Sequence, residues 1–395
     1  MATEPTGARG ARSVGQSWTR PHERALAPDL ARGGMLLLIV LAHAPLWLVG
    51  PEPGVSTHPE GGGVIDEAYR TVSVLLIDSR AYPLFAALFG YGLARVVDRQ
   101  RAVGTPEGGI RRLLRRRGWW LILFGLVHAL LVTPVEILGA YGLAALLIGW
   151  LLFRSQHAVR NGIVALALFY TVIVVLADAT IGSMEDLGAF EFGLLGYSIN
   201  DLVVRVVAWF GAVFGNVVML PVPLAMLVGA WAGRQRLLEE PGRHRGLLLR
   251  MAVVGIPVSV VGGFPLALVG VVGVVDGVPL APLISLHTLT GLAGGLGYAA
   301  LFGLAGDRWQ GRRSGALWLL TATGRRSLTC YLLQSALLVV LLSQTFLGVG
   351  AHVHSAGAAL VAVAAWSGGV ATAAVLERAG RPGPADALLR RLAYR

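Results

Sequence analysis

The sequence predicts an all-α protein, a polytopic transmembrane helical bundle with about ten spans. Hydrophobic residues make up 55% of the 395 residues, charged residues only 14%, and the mean hydropathy is +0.67, whereas a soluble domain carries about 25% charged residues. The apolar excess excludes a disordered chain, and the single cysteine, Cys330, excludes a disulfide scaffold. The net charge of +11 comes with no polar domain for a nucleic-acid surface, so we expect a lipid bilayer as partner and no nucleic acid.

Ten stretches of the sequence are apolar enough to cross a bilayer as helices, which requires roughly 20 residues each. They are about 33–50, 80–97, 117–133, 137–153, 161–178, 211–233, 249–270, 282–305, 327–346 and 356–376. The sixth contains Pro221 and Pro223, so we expect it to be kinked or broken. The apolar stretch 316–322 is too short to span and is predicted to lie at the membrane interface.

Arginine supplies all 33 basic residues and predicts the orientation of the spans. Thirty arginines fall in the two tails and the alternate loops, and only Arg70, Arg80 and Arg205 fall on the other face, where 12 of the 22 acidic residues lie. The two faces therefore carry about +20 and −9. We expect cytoplasmic tails at 1–29 and 377–395 around a transmembrane domain at 30–376. The tail 1–29 has no apolar core of a signal peptide, so the first span is predicted to be an uncleaved anchor.

Ionisable side chains inside the spans are the candidates for chemistry, because they are costly in hydrocarbon and usually face a cavity or a partner. The predicted topology brings six of them to a similar depth in the outer half of the bilayer. They are His43, Asp78, Arg80, His128, Glu136 and His287. We therefore expect an intramembrane cavity that opens outward. Arg32 begins the first span at the cytoplasmic side, about 16 Å along the helix from His43.

Structural interpretations of these residues stay open at the level of the sequence. His43 precedes Pro45 and Trp47, as an interfacial residue near a helix end would. His128 and His287 are also typical of packed core histidines, and Glu136 of a charge that favours a helix N-terminus.

The arginines near the cytoplasmic face have structural interpretations too. Arg32 could serve as an anchor of the first span. The cluster at 111–117, which includes Arg116 and Arg117, could bind lipid headgroups or the phosphates of a substrate.

Several apparent motifs carry no chemistry. The stretch 295–300 fits a relaxed dinucleotide fingerprint, but it lies in the middle of a span, where small residues serve helix packing. His352 and His354 are too few to indicate a metal, so we expect none. Because the chain has no lysine, Schiff-base and P-loop chemistry are excluded.

Five motifs, in order along the chain, resemble the YeiB-like family of bacterial membrane proteins, whose members carry a domain of unknown function. They are PDLARGG at 28–34, RAYPLFAALFGYG at 80–92, FGLVHALL at 124–131 with 136–138 and 141–143, GRRSLTCYLLQS at 324–335, and GPADALLR at 383–390. The resemblance implies a multi-pass protein of the bacterial plasma membrane whose family-defining part covers about 211–395.

This family is distantly similar to the transmembrane acyltransferases. That group includes O-acyltransferases of cell-surface sugars and lysosomal heparan glucosaminide acetyltransferases, which move an acyl group from cytoplasmic acyl-CoA to an acceptor at or across the membrane. The sugar O-acyltransferases carry Arg or Lys, ten residues and then His in the first span, and Arg32 and His43 reproduce that spacing. YeiB-like proteins usually have Asn in place of His43. Cys330 and Asp386 depart from the family's Asn and Glu.

The first hypothesis for function is therefore an integral membrane acyltransferase. Its donor would be acyl-CoA, and its acceptor a hydroxyl or amine of a small molecule or glycan. His43 would be the general base, with His128 and Glu136 as further catalytic candidates. The candidates for binding substrate or CoA are Arg32, Asp78, Arg80, Arg116, Arg117, His287, Arg325 and Gln334.

Two other hypotheses remain open. In a proton-coupled transporter or exporter, the same buried histidines and acids would relay protons. The third hypothesis is a membrane scaffold without catalysis. The sequence is compatible with an oligomer and does not decide its size.

Overall fold

The computed structural model describes residues 25–49, 54–181, 196–275, 277–312 and 314–394. Most of the predicted N-terminal tail, residues 1–24, lies outside the described residues. Within the described ranges the regular structure is entirely helical, which confirms the all-α class. The α-helices are α1 (Leu26–His43), α2 (Val64–Leu76), α3 (Ala81–Ala102), α4 (Glu107–Leu131), α5 (Leu138–Ile148), α6 (Gln156–Ile181), α7 (Ile199–Val218), α8 (Val222–Arg234), α9 (Arg245–Gly270), α10 (Leu280–Trp309), α11 (Gly315–Arg325), α12 (Ser327–Leu342), α13 (Ser355–Arg378) and α14 (Pro384–Tyr394).

Seven stretches of the described chain are long and apolar enough to cross a membrane, and eight if α11 and α12, bent by 92°, form one broken span. The chain is thus a membrane protein by length and composition, with fewer clear spans than the ten predicted. Two of the ten correspond to α4 and α5, which fall short of that test. The apolar part of α4 begins only after Arg115, Arg116 and Arg117, and the apolar helix that begins at α5, Leu138–Phe153, is short.

The predicted sixth span, 211–233, is wrong in its boundaries. The apolar helix in this region is α7, which starts earlier, at Ile199, behind a capping box that Ser198 and Asp201 form. It ends at Val218, and Pro221 and Pro223 begin the separate helix α8. Since proline lacks the backbone N–H, it is tolerated in the first turn of a helix but interrupts its interior.

Glycines set the closest helix contacts in the bundle. On α8, a Cβ atom added to Gly229 would lie 1.8 Å from the carbonyl oxygen of Ala87 on α3. On α10, a Cβ on Gly295 would lie 2.8 Å from the backbone of Arg80 and Leu84. Backbones that approach so closely leave no room for a side chain. The stretch 295–300 therefore serves helix packing inside α10, as the sequence indicated.

One face of α4 has the pattern of a helix that lies against lipid. Its exposed large apolar side chains recur every four residues, at Trp119, Leu123, Val127 and Leu131. The same face continues toward the N-terminus of α4 with the exposed Arg111 and Arg115. An apolar stripe that ends in tryptophan and then arginine is typical of a helix leaving the hydrocarbon region at its basic end.

Candidate functional site

A small cavity lies where α1, α12 and the α4–α5 link meet, and we call it the outer cleft after the side on which the predicted topology puts it. Its polar lining comes from His43, Thr133 and Ser335. Its apolar lining comes from Leu46, Trp47, Val135 and Leu338. The outer cleft contains the histidine that the sequence singled out as general base.

Local structure explains how His43 reaches this cleft. It is the last residue of α1, and a 3-10 turn at Ala44–Trp47, with Pro45 in its first positions, changes the direction of the chain there. On α12, Ser335 and Leu338 are three residues apart and therefore share one helix face.

His128 is buried near His43, which lines the outer cleft. Its imidazole stacks on Tyr331, with ring centroids 5.6 Å apart, and is only 3% exposed. The Tyr331 hydroxyl accepts from the backbone N–H of Ile137 at 3.4 Å. His43 and His128 are near enough to repel each other if both were charged. The structure therefore brings together these two predicted residues, and Tyr331 as their neighbour was not predicted from the sequence.

Two buried side chains near the outer cleft, His128 and Gln334, have polar atoms without hydrogen-bond partners among the described residues. Both ring nitrogens of His128 lack a hydrogen bond in the described structure. Gln334 donates its Nε2 to the carbonyl of Leu36 at 3.1 Å, while its Oε1 has no partner. Buried polar atoms of this kind usually bind a water molecule or a ligand.

Glu136 has a different environment from the histidines. Its Oε1 accepts from Gly139 N at 2.9 Å and from Trp209 Nε1 at 2.7 Å, and its Oε2 accepts from Leu138 N. A Cβ on Gly125 would lie 2.5 Å from Oε1, so α4 leaves room for the carboxylate. These partners fit the interpretation of Glu136 as the N-terminal charge of α5. A catalytic role for it stays a prediction.

Three further predicted residues form a second group, the Arg80 cluster, which consists of His58, Ser73, Asp78, Arg80, Ser259 and His287. Arg80 is 1% exposed. Its Nη1 donates to the carbonyls of Val74 and Asp78, both at 2.6 Å, and lies 3.0 Å from Nδ1 of His287, and its Nη2 donates to the carbonyl of Ser259. The guanidinium thus contacts three helices: the C-terminal part of α2, and α9 and α10.

The sequence missed His58 as a member of the Arg80 cluster. His58 lies in a loop and is 1% exposed, with its Nε2 3.4 Å from Oδ2 of Asp78. The other carboxylate oxygen of Asp78 accepts from the hydroxyl of Ser73 at 3.1 Å. His58 gave no signal in the sequence because it falls outside every apolar stretch. The six residues predicted at one depth therefore belong to separate groups in the structure, and no described contact joins the Arg80 cluster to the outer cleft.

At the other end of α1, Arg32 lies among charged residues. It pairs with Asp29 at 3.6 Å, and a Cβ on Gly92 would lie 3.1 Å from its Nη2. Arg117 of α4 lies near enough to Arg32 for the two charges to repel. The Nε of Arg117 has no partner in the described structure, and its guanidinium lies 5.6 Å from the ring centroid of Phe89. Arg32 and Arg117 thus form a basic pair from two helices.

The other basic candidates differ in their surroundings. Arg325 bridges Asp29, at 3.4 Å, and Glu377, at 2.6 Å. This network joins α1, α11 and α13, which fits a structural role. Arg116 is half-buried and makes no ion pair among the described residues.

Comparison with known proteins shows what the chain is similar to. Residues 232–395 match the model of a protein family of unknown function (DUF418). The chain is also 26% identical to the uncharacterized protein YeiB of Escherichia coli K12, over 94% of this chain and 97% of YeiB. Both matches support the resemblance to the YeiB-like family that the sequence motifs indicated. The chain is 24% identical to an uncharacterized 39.9 kDa protein in the amylase 3′ region of Bacillus acidopullulyticus, over 56% of this chain and 49% of that protein.

Two residues that depart from the YeiB-like motifs are accommodated by local contacts. Cys330 is buried in α12, with its Sγ 3.5 Å from the carbonyl of Gly369. Asp386 accepts from Thr329 Oγ1 at 2.7 Å and from the backbone N–H of Leu328 and Thr329. Burial raises the pKa of the Asp386 carboxyl. Both residues hold α12 against its neighbours, which explains their positions without a role in binding.

Proposed function

We propose that this chain is an integral membrane acyltransferase that moves an acyl group from cytoplasmic acyl-CoA to a hydroxyl or amine acceptor at the outer side of the membrane. The observation that carries the proposal is the course of α1. Arg32, near the start of this helix, lies beside Arg117, and His43, at its end, lines the outer cleft. The rise between the two residues is about 16 Å, a span that the extended arm of acyl-CoA could cover.

The basic pair would bind the donor. Acyl-CoA carries phosphates, which guanidinium groups bind through charge-assisted hydrogen bonds. Arg32 is partly exposed, and Arg117 has an unused N–H, so both can offer donors to a phosphate. Arg325 would act indirectly, because it pairs with Asp29, the acid that also pairs with Arg32, and with Glu377.

His43 would act as the general base at the far end of the donor. Its imidazole would take the proton of the acceptor as the acceptor attacks the thioester carbonyl carbon. It would then return that proton to the departing thiolate of CoA. His128, stacked on Tyr331 next to the cleft, would keep the surroundings of His43 polar in an otherwise apolar bundle.

Binding of coenzyme A tests this proposal. Arg32→Gln and Arg117→Gln should each weaken the affinity for CoA about tenfold or more, since each removes a charged hydrogen bond. The control is Arg115→Gln, which removes the same charge from an exposed position on α4. Isothermal titration of the purified protein in nanodiscs gives the dissociation constants, and the unfolding temperature shows that each variant folds. Absence of CoA binding by the unaltered chain, or an equal loss in Arg115→Gln, would contradict the proposal.

A second candidate function is proton-coupled transport, and the observation that favours it is the buried pair of His58 and Asp78. Acyl transfer leaves this pair unused, whereas a proton relay needs such groups. Sealed vesicles that contain the protein should then move substrate under a pH gradient without modifying it, and His58→Gln should stop that movement.

A further inference from the structure

Among the residues that the structure describes, the lining of the outer cleft contains no fixed charge. Its polar side chains are an imidazole and two hydroxyls, from His43, Thr133 and Ser335, and the rest of its lining is apolar. Thr133 and Ser335 are each 6% exposed, so any group that meets them is largely removed from water. A charged group that enters this cleft therefore needs a counter-ion from a residue outside the lining.

The two acids that were predicted at this depth, Glu136 and Asp78, lie outside the lining and have other neighbours. Both oxygens of Glu136 accept from N–H groups, at Leu138, Gly139 and Trp209. Asp78 belongs to the Arg80 cluster, where Ser73 and His58 approach its two oxygens. Neither acid is offered to the outer cleft as a partner for a cation.

The neighbouring cation is engaged as well. Arg205 of α7 donates its Nη1 to the carbonyls of Ala129 and Val132 at the end of α4, at 3.4 Å and 3.1 Å. Its guanidinium also lies 4.7 Å from the ring centroid of Tyr197. A negatively charged acceptor would thus find no arginine within the lining of the outer cleft.

From this lining we infer that the acceptor presents an uncharged hydroxyl, and not an ammonium, to His43; the inference rests on the proposed acyl transfer. An ion moved from water into such a site without a counter-ion is strongly disfavoured. A hydroxyl has one donor and two acceptor positions. It can donate to the neutral imidazole of His43 while its oxygen accepts from the hydroxyl of Thr133 or Ser335.

The transfer step then follows with all atoms accounted for. The O–H bond of the acceptor breaks, and its proton moves to the imidazole nitrogen of His43. The acceptor oxygen forms a bond to the carbonyl carbon of the acyl thioester, and the C–S bond breaks. The thiolate of CoA leaves and takes the proton from the imidazolium. The products are an ester and free CoA, and no oxidant or reductant is needed.

The experiment compares two acceptors that differ only in the reacting group. Cyclohexanol and cyclohexylamine, each supplied with acetyl-CoA at about pH 7, where the amine is an ammonium, are mixed with the protein in nanodiscs. Mass spectrometry measures cyclohexyl acetate and N-cyclohexylacetamide, with the rates in empty nanodiscs subtracted. The ester should form at least about tenfold faster than the amide.

A variant of the lining tests the cause of this preference. Ser335→Asp places a carboxylate in the outer cleft and should shift the ratio of amide to ester upward by about tenfold. Ser335→Asn introduces a side chain with the shape of aspartate but without its charge, and it should leave the ratio of amide to ester within about twofold of that of the unaltered protein. If Ser335→Asp fails to fold, Thr133→Asp makes the same test from the other wall.

The outcomes separate this inference from the proposed function. Faster amide formation by the unaltered protein would overturn the inference and leave acyl transfer in place. A ratio that moves equally in Ser335→Asp and Ser335→Asn would also overturn it. If CoA is released with neither acceptor, the proposed function fails and the inference fails with it.

Discussion

Replacing Arg80 with methionine should destabilise the fold rather than remove a contact to a ligand. Arg80 was predicted as a binding residue because it is an ionisable side chain at the depth of the other candidates, on the face that carries only three of the 33 arginines. In the structure its guanidinium is occupied by the carbonyl groups of Val74, Asp78 and Ser259. Methionine keeps much of the volume of the side chain and removes all of these hydrogen bonds.

The expected magnitude follows from those bonds. A hydrogen bond from a charged group contributes about 1.5–3 kcal/mol, and disrupting a buried charged network costs about 3–5 kcal/mol. The three bonds share one guanidinium and are not additive, so we expect a loss of about 3–5 kcal/mol in the free energy of unfolding. Native proteins are stable by only about 5–15 kcal/mol, so this loss is severe.

Unfolding by SDS titration at constant lipid and detergent, followed by circular dichroism, measures this loss. The control is Arg70→Met on α2, which removes a single bond from Arg70 to the carbonyl of Gly61 and should cost less than about 1 kcal/mol. If Arg80→Met instead keeps the stability of the unaltered chain but no longer binds or turns over substrate, Arg80 serves the ligand and not the fold.

Three more substitutions have defined expectations, each measured by the same unfolding titration. Glu136→Gln replaces one accepting carboxylate oxygen by an NH2 group, which cannot accept from the N–H donors of α5 and Trp209. It should cost about 1–3 kcal/mol with little change in turnover; a large loss of turnover in a stable variant would instead support catalysis by Glu136. Burial raises the pKa of the Asp386 carboxyl in the folded protein. The contribution of this carboxyl to stability is therefore fully present below its unfolded-state pKa and is lost as the pH rises through the raised folded-state pKa. Asp386→Asn should flatten this dependence of the unfolding free energy on pH, and an unchanged pH profile in the variant would contradict the prediction. Gly263→Ala places a Cβ 2.8 Å from Nη2 of Arg80 and should cost about 1–3 kcal/mol by overpacking; a neutral result would mean that α9 shifts freely.

Features that depend on a single helix could be predicted from the sequence. The spacing of Arg32 and His43 fixes their separation as soon as both lie on α1, because the rise per residue of a helix is constant. The all-helical class followed from composition and from the apolar stretches. Glu136 as the start of a helix also followed from its position before an apolar run.

Features that depend on contact between distant segments could not be predicted. The meeting of Arg117 with Arg32, and the stacking of His128 on Tyr331, depend on which helices are neighbours in the membrane plane, and the hydropathy pattern contains no such information. The boundaries of α7 were missed because Asp201 and Arg205 interrupt the apolar pattern near its start. Arg205 is tolerated there because it caps the carbonyls at the end of α4.

The role of His43 in acyl transfer is the centre of this account, and release of CoA thiol from acetyl-CoA tests it most directly. The protein in nanodiscs, with cyclohexanol as acceptor, should release thiol above the level of empty nanodiscs. His43→Gln should lower that rate about 100-fold or more, as the loss of a general base does, while keeping the unfolding temperature. His157→Gln, at an exposed position of α6, should have no effect. Thiol release that is absent from the unaltered protein, or undiminished in His43→Gln, would contradict the account.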